Sequence, residues 1–274
     1  RLHSDSGKLG GYAPRPDRPS VEWRHEDANG RVPEASCIRM IWILAFVGVG
    51  ILVLAHTAPA PFLLDVIAGD GAVWHMPRGT PSTVYLTYDD GPNPSTTPDL
   101  LDVLSREGVR ATFFLIDRHI TEETAPIVRR MFRDGHAVAL HSASKRYMLL
   151  SRSELVRTLL AAADRIEALA GSRPCHAFRP RGGWRSAAML AGLREINHKL
   201  VGWGWMLWDV EPFRARSADR IVRRFLARIA PGDIVVMHDG DDGSPRKRQP
   251  HVVEATQRLI PELRSRGFGF GTIC

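Results

Sequence analysis

The chain has 274 residues, 44% of them hydrophobic, which is ample for the core of one large domain or two small ones and excludes a wholly disordered protein. A formal net charge of +7 suits an anionic polymer or a membrane surface without selecting either, and no nucleic-acid partner is expected. Cys37, Cys175 and Cys274 are too few for a disulfide framework and lack metal-ligand spacing; Cys175 and Cys274 either pair in an oxidising compartment or remain buried thiols.

Residues 1–39 are rich in Pro, Gly, Arg and Asp, carry no sustained apolar period and are expected as a disordered tail. From Met40 to Ala55 every residue is apolar or Gly. Those sixteen positions rise about 24 Å as a helix, and extension through Ala60 reaches the length of a bilayer core. Arg31 and Arg39 precede the run, and the next basic residue after it is Arg78, so residues 40–60 are expected to be a membrane anchor or a signal segment with the remainder outside the cytoplasm. A signal cleaved near Ala58-Pro-Ala60 and a buried core helix are the competing readings, and 61–81 is expected as a linker.

Beyond residue 80 short β-rich runs alternate with longer amphipathic runs. Strands are expected near 83–88, 110–115, 136–141, 176–179, 199–205, 233–238 and 268–272, with helices near 97–107, 121–134, 151–170, 186–196, 217–230 and 251–266. Ser151 and Glu154 have capping-box spacing, and Ser217 opens another helical run. Seven strands alternating with six helices predict a parallel α/β sheet closed, or nearly closed, into a distorted barrel spanning 82–274, preceded by the hydrophobic N-terminal helix. Barrel chemistry gathers at the C-terminal ends of the strands. Those ends read Asp89-Asp90, His141-Ser142, Arg179-Pro-Arg181, Trp208-Asp209-Val-Glu211 and His238-Asp239. Titratable groups at five of the ends point to a convergent site rather than a polar edge.

With these residues in view the chain from about 82 to 274 resembles the polysaccharide deacetylase family, the NodB homology domain. The family's first motif stands here as Thr87-Tyr-Asp-Asp-Gly-Pro92, with Tyr88 for Phe. The resemblance implies a distorted β/α barrel and hydrolysis of N-acetyl, or O-acetyl, groups on a polysaccharide. It also implies a divalent metal cofactor, Zn²⁺ or a similar ion such as Co²⁺, Ni²⁺ or Mn²⁺. It makes Asp89 the general base, Asp90 and His141 metal ligands, Arg179 the partner of the base and His238 the general acid. The second motif is His, then another His four positions on; here Lys145 holds the second place. Three outcomes follow: a metal held by Asp90, His141 and extra water, a substitute donor such as Ser144, or an inactive site. In the third motif Arg181 replaces the usual Pro, and Trp184 follows late. The fourth is blurred into Trp203–Phe213, where Asp209 or Glu211 is expected to support His238, with Asp209 preferred. Tyr88, Trp184 and Trp208 are expected to contact sugar, with burial in the core the alternative for the tryptophans. A glycan-binding homologue without turnover and an amidase acting on a small C–N bond are the competing functions.

Overall fold

The computed structural model describes residues 34–56, 71–79, 81–204, 217–241 and 243–274. Most of the expected tail, residues 61–70 of the expected linker, and Trp208, Asp209 and Glu211 lie outside the described residues. Helix α1, Glu34–His56, taken by itself, exposes Ile41, Trp42, Ile43, Leu44 and Phe46. Among the described residues no helix is long and apolar enough to cross a membrane. Of the segment expected as an anchor or signal, residues 57–60, with the Ala58-Pro-Ala60 site, lie outside the described residues.

The remaining elements follow the expected alternation. Strands β1 (Thr83–Gly91), β2 (Thr112–Leu115), β3 (Ala137–His141), β4 (Ala177–Arg179), β5 (Lys199–Leu200), β6 (Ile234–His238) and β7 (Gly269–Phe270) form one sheet. Helices α2 (Thr97–Arg106), α3 (Ala125–Arg133), α4 (Arg152–Ala170), α5 (Ala187–Glu195), α6 (Ala218–Leu226) and α7 (Pro250–Ser265) connect them. Local chemistry sets their limits. In α4 the Ser151 side chain accepts from the Glu154 N–H while Glu154 returns to the Ser151 N–H, and Gly171, at φ +76°, ends the helix in the left-handed region.

The strand order is β5-β4-β3-β2-β1-β6, every pair parallel, with β7 added to the start of β1. β5 is shorter than the expected 199–205 because the chain beyond Leu200 takes a different partner. Val201 bridges Val73, His75 bridges Asp233, and the Gly204 N–H reaches the Ile234 carbonyl at 3.1 Å. Segment 73–75 thus fills the gap between β5 and β6 and closes the sheet into a distorted barrel.

Side chains on the strands alternate between two apolar clusters. Phe114, Ala139, Ala177, Val201 and Ile234 share the inner cluster. Their strand neighbours Phe113, Val138, Leu140, Phe178 and Val235 pack in the other cluster with helical residues such as Leu159, Ile221 and Leu259. This parity decides which residues reach the barrel mouth.

Candidate active site

On β3, β4 and β6 the last residue falls on the inner parity: His141 two positions after Ala139, Arg179 two after Ala177, His238 four after Ile234. Asp89, on β1, is registered against both Phe114 and His238. Four strands therefore deliver Asp89, His141, Arg179 and His238 to one mouth.

Asp90 would face the opposite side if β1 continued regularly. Instead β1 bulges there: Asp89 pairs with Phe114 and Gly91 with Leu115, leaving Asp90 as the extra residue, at φ +69°. A bulge breaks the alternation, and Asp tolerates the left-handed region better than most residues. The strand end is clamped from the β6 side. A Cβ on Gly91 would lie 2.7 Å from Asp239 Oδ2, and one on Gly240 would lie 2.0 Å from the Asp90 carbonyl, so both positions need the missing side chain.

The two carboxylates have different surroundings. Asp89 Oδ1 accepts from Arg179 Nη1 at 2.6 Å, and both side chains are buried. The guanidinium also donates to Thr87 Oγ1 at 2.8 Å, the Gly202 carbonyl at 2.9 Å and the Val201 carbonyl at 3.3 Å, and lies 3.8 Å from the centre of the Phe114 ring. A buried charge pair is tolerated when its remaining donors are satisfied in this way. Burial lowers the Arg179 pKa while Asp89 raises it in return.

Asp90 Oδ1 meets two groups, His141 Nε2 at 3.3 Å and Arg181 Nη1 at 3.5 Å. His141 Nδ1 lies 2.8 Å from the Arg179 carbonyl, which orients the ring with Nε2 toward Asp90. Burial pushes the Asp90 carboxyl upward, but the hydrogen bond and charge of His141, then the charges of His238 and Arg181, outweigh it and hold the group well below the usual carboxylate range. Behind this pair Asp239 is fully buried; its Oδ2 accepts from Thr97 Oγ1, and its Oδ1 has no hydrogen-bond partner among the described residues. Burial, with the nearby charges of Asp90 and Asp89, pushes Asp239 up to about 7 against the lowering effect of Thr97.

Trp184 is half-buried and carries Lys145 Nζ 5.3 Å from its ring centroid. Tyr88, expected to contact sugar, is corrected by the parity of β1. It faces the helices, is fully buried, stacks on Phe113 at 5.3 Å and bonds Thr256 Oγ1 on α7 at 2.9 Å; burial, more than anything else, raises its pKa. The sequence reading missed His119, whose Nδ1 lies 3.0 Å from the Asp90 carbonyl, and named Ser142 at a strand end without a role; its Oγ accepts from the Arg181 N–H at 2.7 Å. Both follow strands β2 and β3, the one signal that pointed to them.

Fold and site together define an α/β-barrel hydrolase with a carboxylate and an imidazole facing each other across adjacent strands. The polysaccharide deacetylase pattern matches residues 77–201, and the chain belongs to that family of hydrolases. It is 38% identical over 202 residues to a chitooligosaccharide deacetylase of Bradyrhizobium sp. (strain ANU 289), covering 68% of this chain and 86% of that one. Its fold is similar to that of a peptidoglycan N-acetylglucosamine deacetylase (27% identity, TM-score 0.66, 77% of this chain and 95% of that one). It is also similar to a mutant of a CE4-family pseudoenzyme with restored enzymatic activity (25% identity, TM-score 0.62, 74% and 69%).

Members of the family are metal-dependent as a rule, and one is solved with a cobalt ion. The donor set here does not complete such a site. Asp90 and His141 converge, but Lys145 holds the second histidine's place and is exposed over Trp184. Among the described residues no three His, Cys, Asp or Glu side chains gather to hold an ion.

Proposed function

We propose that the chain hydrolyses acetyl groups from N-acetylated, or O-acetylated, sugars of an extracytoplasmic polysaccharide such as a chitin-like glycan or peptidoglycan. The observation that carries this reading is the Asp89–Arg179 pair at the inner end of β1, in register with His238 on β6. Arg179 fixes one oxygen of Asp89, and the carboxylate takes a proton from the attacking water. The new C–O bond gives a tetrahedral adduct. His238, partly exposed at the end of β6, then donates a proton to the departing nitrogen or alkoxide as the acyl bond breaks, releasing acetate and the free amine or alcohol. Trp184 offers a half-buried aromatic wall to a sugar ring.

An extracytoplasmic site is supported by the Cys175–Cys274 disulfide, whose Cα atoms are 6.3 Å apart, since such bonds persist in oxidising compartments. The apolar run of α1 serves in this reading as the export signal or anchor. Sequencing the N-terminus of the exported chain tests it: a start near residue 60 indicates cleavage, an intact apolar run indicates an anchor, and failure to leave the cytoplasm contradicts both.

A second reading, a glycan-binding homologue without turnover, is favoured by Lys145 at the second histidine's place. Acetate assay with mass analysis of chitooligosaccharides, peptidoglycan fragments, acetylated xylan and small amides separates the readings. Loss of 42 mass units from a glycan, about one acetyl exchanged for hydrogen per event, is expected. Binding without acetate release sinks the hydrolase; turnover confined to small amides sinks the glycan substrate.

A further inference from the structure

Two departures from the family's motifs meet at one turn. Arg181 stands where Pro is usual and Lys145 where the second histidine is usual. The turn Arg181–Gly183 follows β4, with Gly182 at φ +60° and Gly183 at φ +75°. Its first residue is tied to Ser142 Oγ at 2.7 Å and sends its guanidinium to Asp90 Oδ1 at 3.5 Å. Just after it, Trp184 takes the Lys145 ammonium over its ring. The lysine is thereby drawn to the indole, while the arginine serves Asp90. A divalent ion on Asp90 and His141 would share Oδ1 with a guanidinium of like charge and would lack a third side-chain donor among the described residues.

We propose that Arg181 supplies, from the chain itself, the positive charge at Asp90 that the family's site takes from a divalent ion, so that the Asp90–His141 pair holds no metal in the wild-type protein. The substitution is reciprocal: completing the donor set and removing the guanidinium together convert the pair into a metal site.

The test counts metal. The full chain with its disulfide intact is equilibrated with Zn²⁺, and separately with Co²⁺, freed of excess and analysed for metal per chain, with melting temperature recorded with and without the ion. Wild type is expected to retain less than about 0.1 ion per chain and to show no shift in melting, because only a ligand that binds the folded state raises it. Lys145→His combined with Arg181→Ala is expected to retain about one ion per chain and to melt higher with metal. Lys145→His alone is expected to bind at least about tenfold more weakly than the double variant. About one ion per wild-type chain, lost in Asp90→Asn, overturns the inference. So does equal affinity of Lys145→His and the double variant, or a double variant that is folded by circular dichroism yet takes up no ion. Should the double variant not fold, the wild-type count still decides. Turnover does not enter the readout: a metal-free chain that releases no acetate contradicts the proposed function and leaves this inference standing, and a metal-loaded chain that releases acetate does the reverse.

Discussion

The two halves of the β1 terminus, one residue apart, are built on different principles. Asp89 lies on the inner parity of a regular strand and is held by a guanidinium that is itself locked by Thr87, Val201 and Gly202. Asp90 owes its place to a bulge, and its partners come from β3 and from a turn with two left-handed glycines. The first half keeps Asp89 and Arg179, the pair that the family resemblance implies; the second keeps Asp90 and His141 but changes the cation around them. Strand parity resists substitution because moving one residue moves a whole face, whereas a turn can exchange Pro for Arg and redirect a charge. The difference shows how a barrel mouth can retain its acid–base pair while its countercharge is rebuilt.

The largest expected effect that tests this contrast is Arg179→Ala. Removing the guanidinium leaves Asp89 as a buried charge without its partner, so unfolding stability should fall by about 3–5 kcal/mol in urea titration. Arg181→Ala, on the half-exposed side, should cost less than about 1 kcal/mol. Equal losses would erase the distinction between the halves.

Asp239 sharpens the comparison through pH. Its folded pKa of about 7 lies above the ordinary value of 3.8, so the folded state holds a proton that the unfolded state has released. That contribution is fully present below about pH 4 and is lost as pH rises through 7, at up to about 1.4 kcal/mol per pH unit. Buried His136, lowered to about 4 chiefly by desolvation, slopes the opposite way in part of this window. The difference between wild type and Asp239→Asn removes it: that difference should decline from pH 4 to pH 7, and a flat difference contradicts the burial argument.

A smaller effect is expected from Gly240→Ala. The added methyl meets the Asp90 carbonyl, so the bulge must shift, at a cost of about 1–3 kcal/mol in thermal or chemical unfolding. Activity should fall further than stability accounts for, and an unchanged kcat would show that the position of Asp90 is immaterial. Lys145→Ala is expected to change stability by only about 0.5–1 kcal/mol, the value of one exposed cation–π contact and of the same order as Arg181→Ala.

The seven strands were legible because each falls in a short β-rich run set between longer amphipathic ones, and the barrel followed from that alternation with helices. The site was legible for Asp89, Asp90, His141, Arg179 and His238 because all five sit at strand ends. Tyr88 was misread because it lies inside the same motif; proximity in sequence suggested the mouth, but period-two alternation turns it toward Thr256 on α7. The reach of Arg181 to Asp90 was not legible, since it depends on the glycine turn and on Ser142 rather than on a spacing. Nor was the burial of Asp239, which reads as part of a polar loop until Thr97 and Gly91 close over it.

Acetate release from an N-acetylated chitooligosaccharide, wild type against Asp89→Asn, tests the account most directly. The acid–base role of Asp89 predicts measurable release by wild type and a fall of about 10²–10⁴-fold in the variant, assayed at a temperature where circular dichroism shows both folded, since the buried Arg179 loses its partner. Equal release from both proteins, or none from a correctly folded wild type, would contradict it.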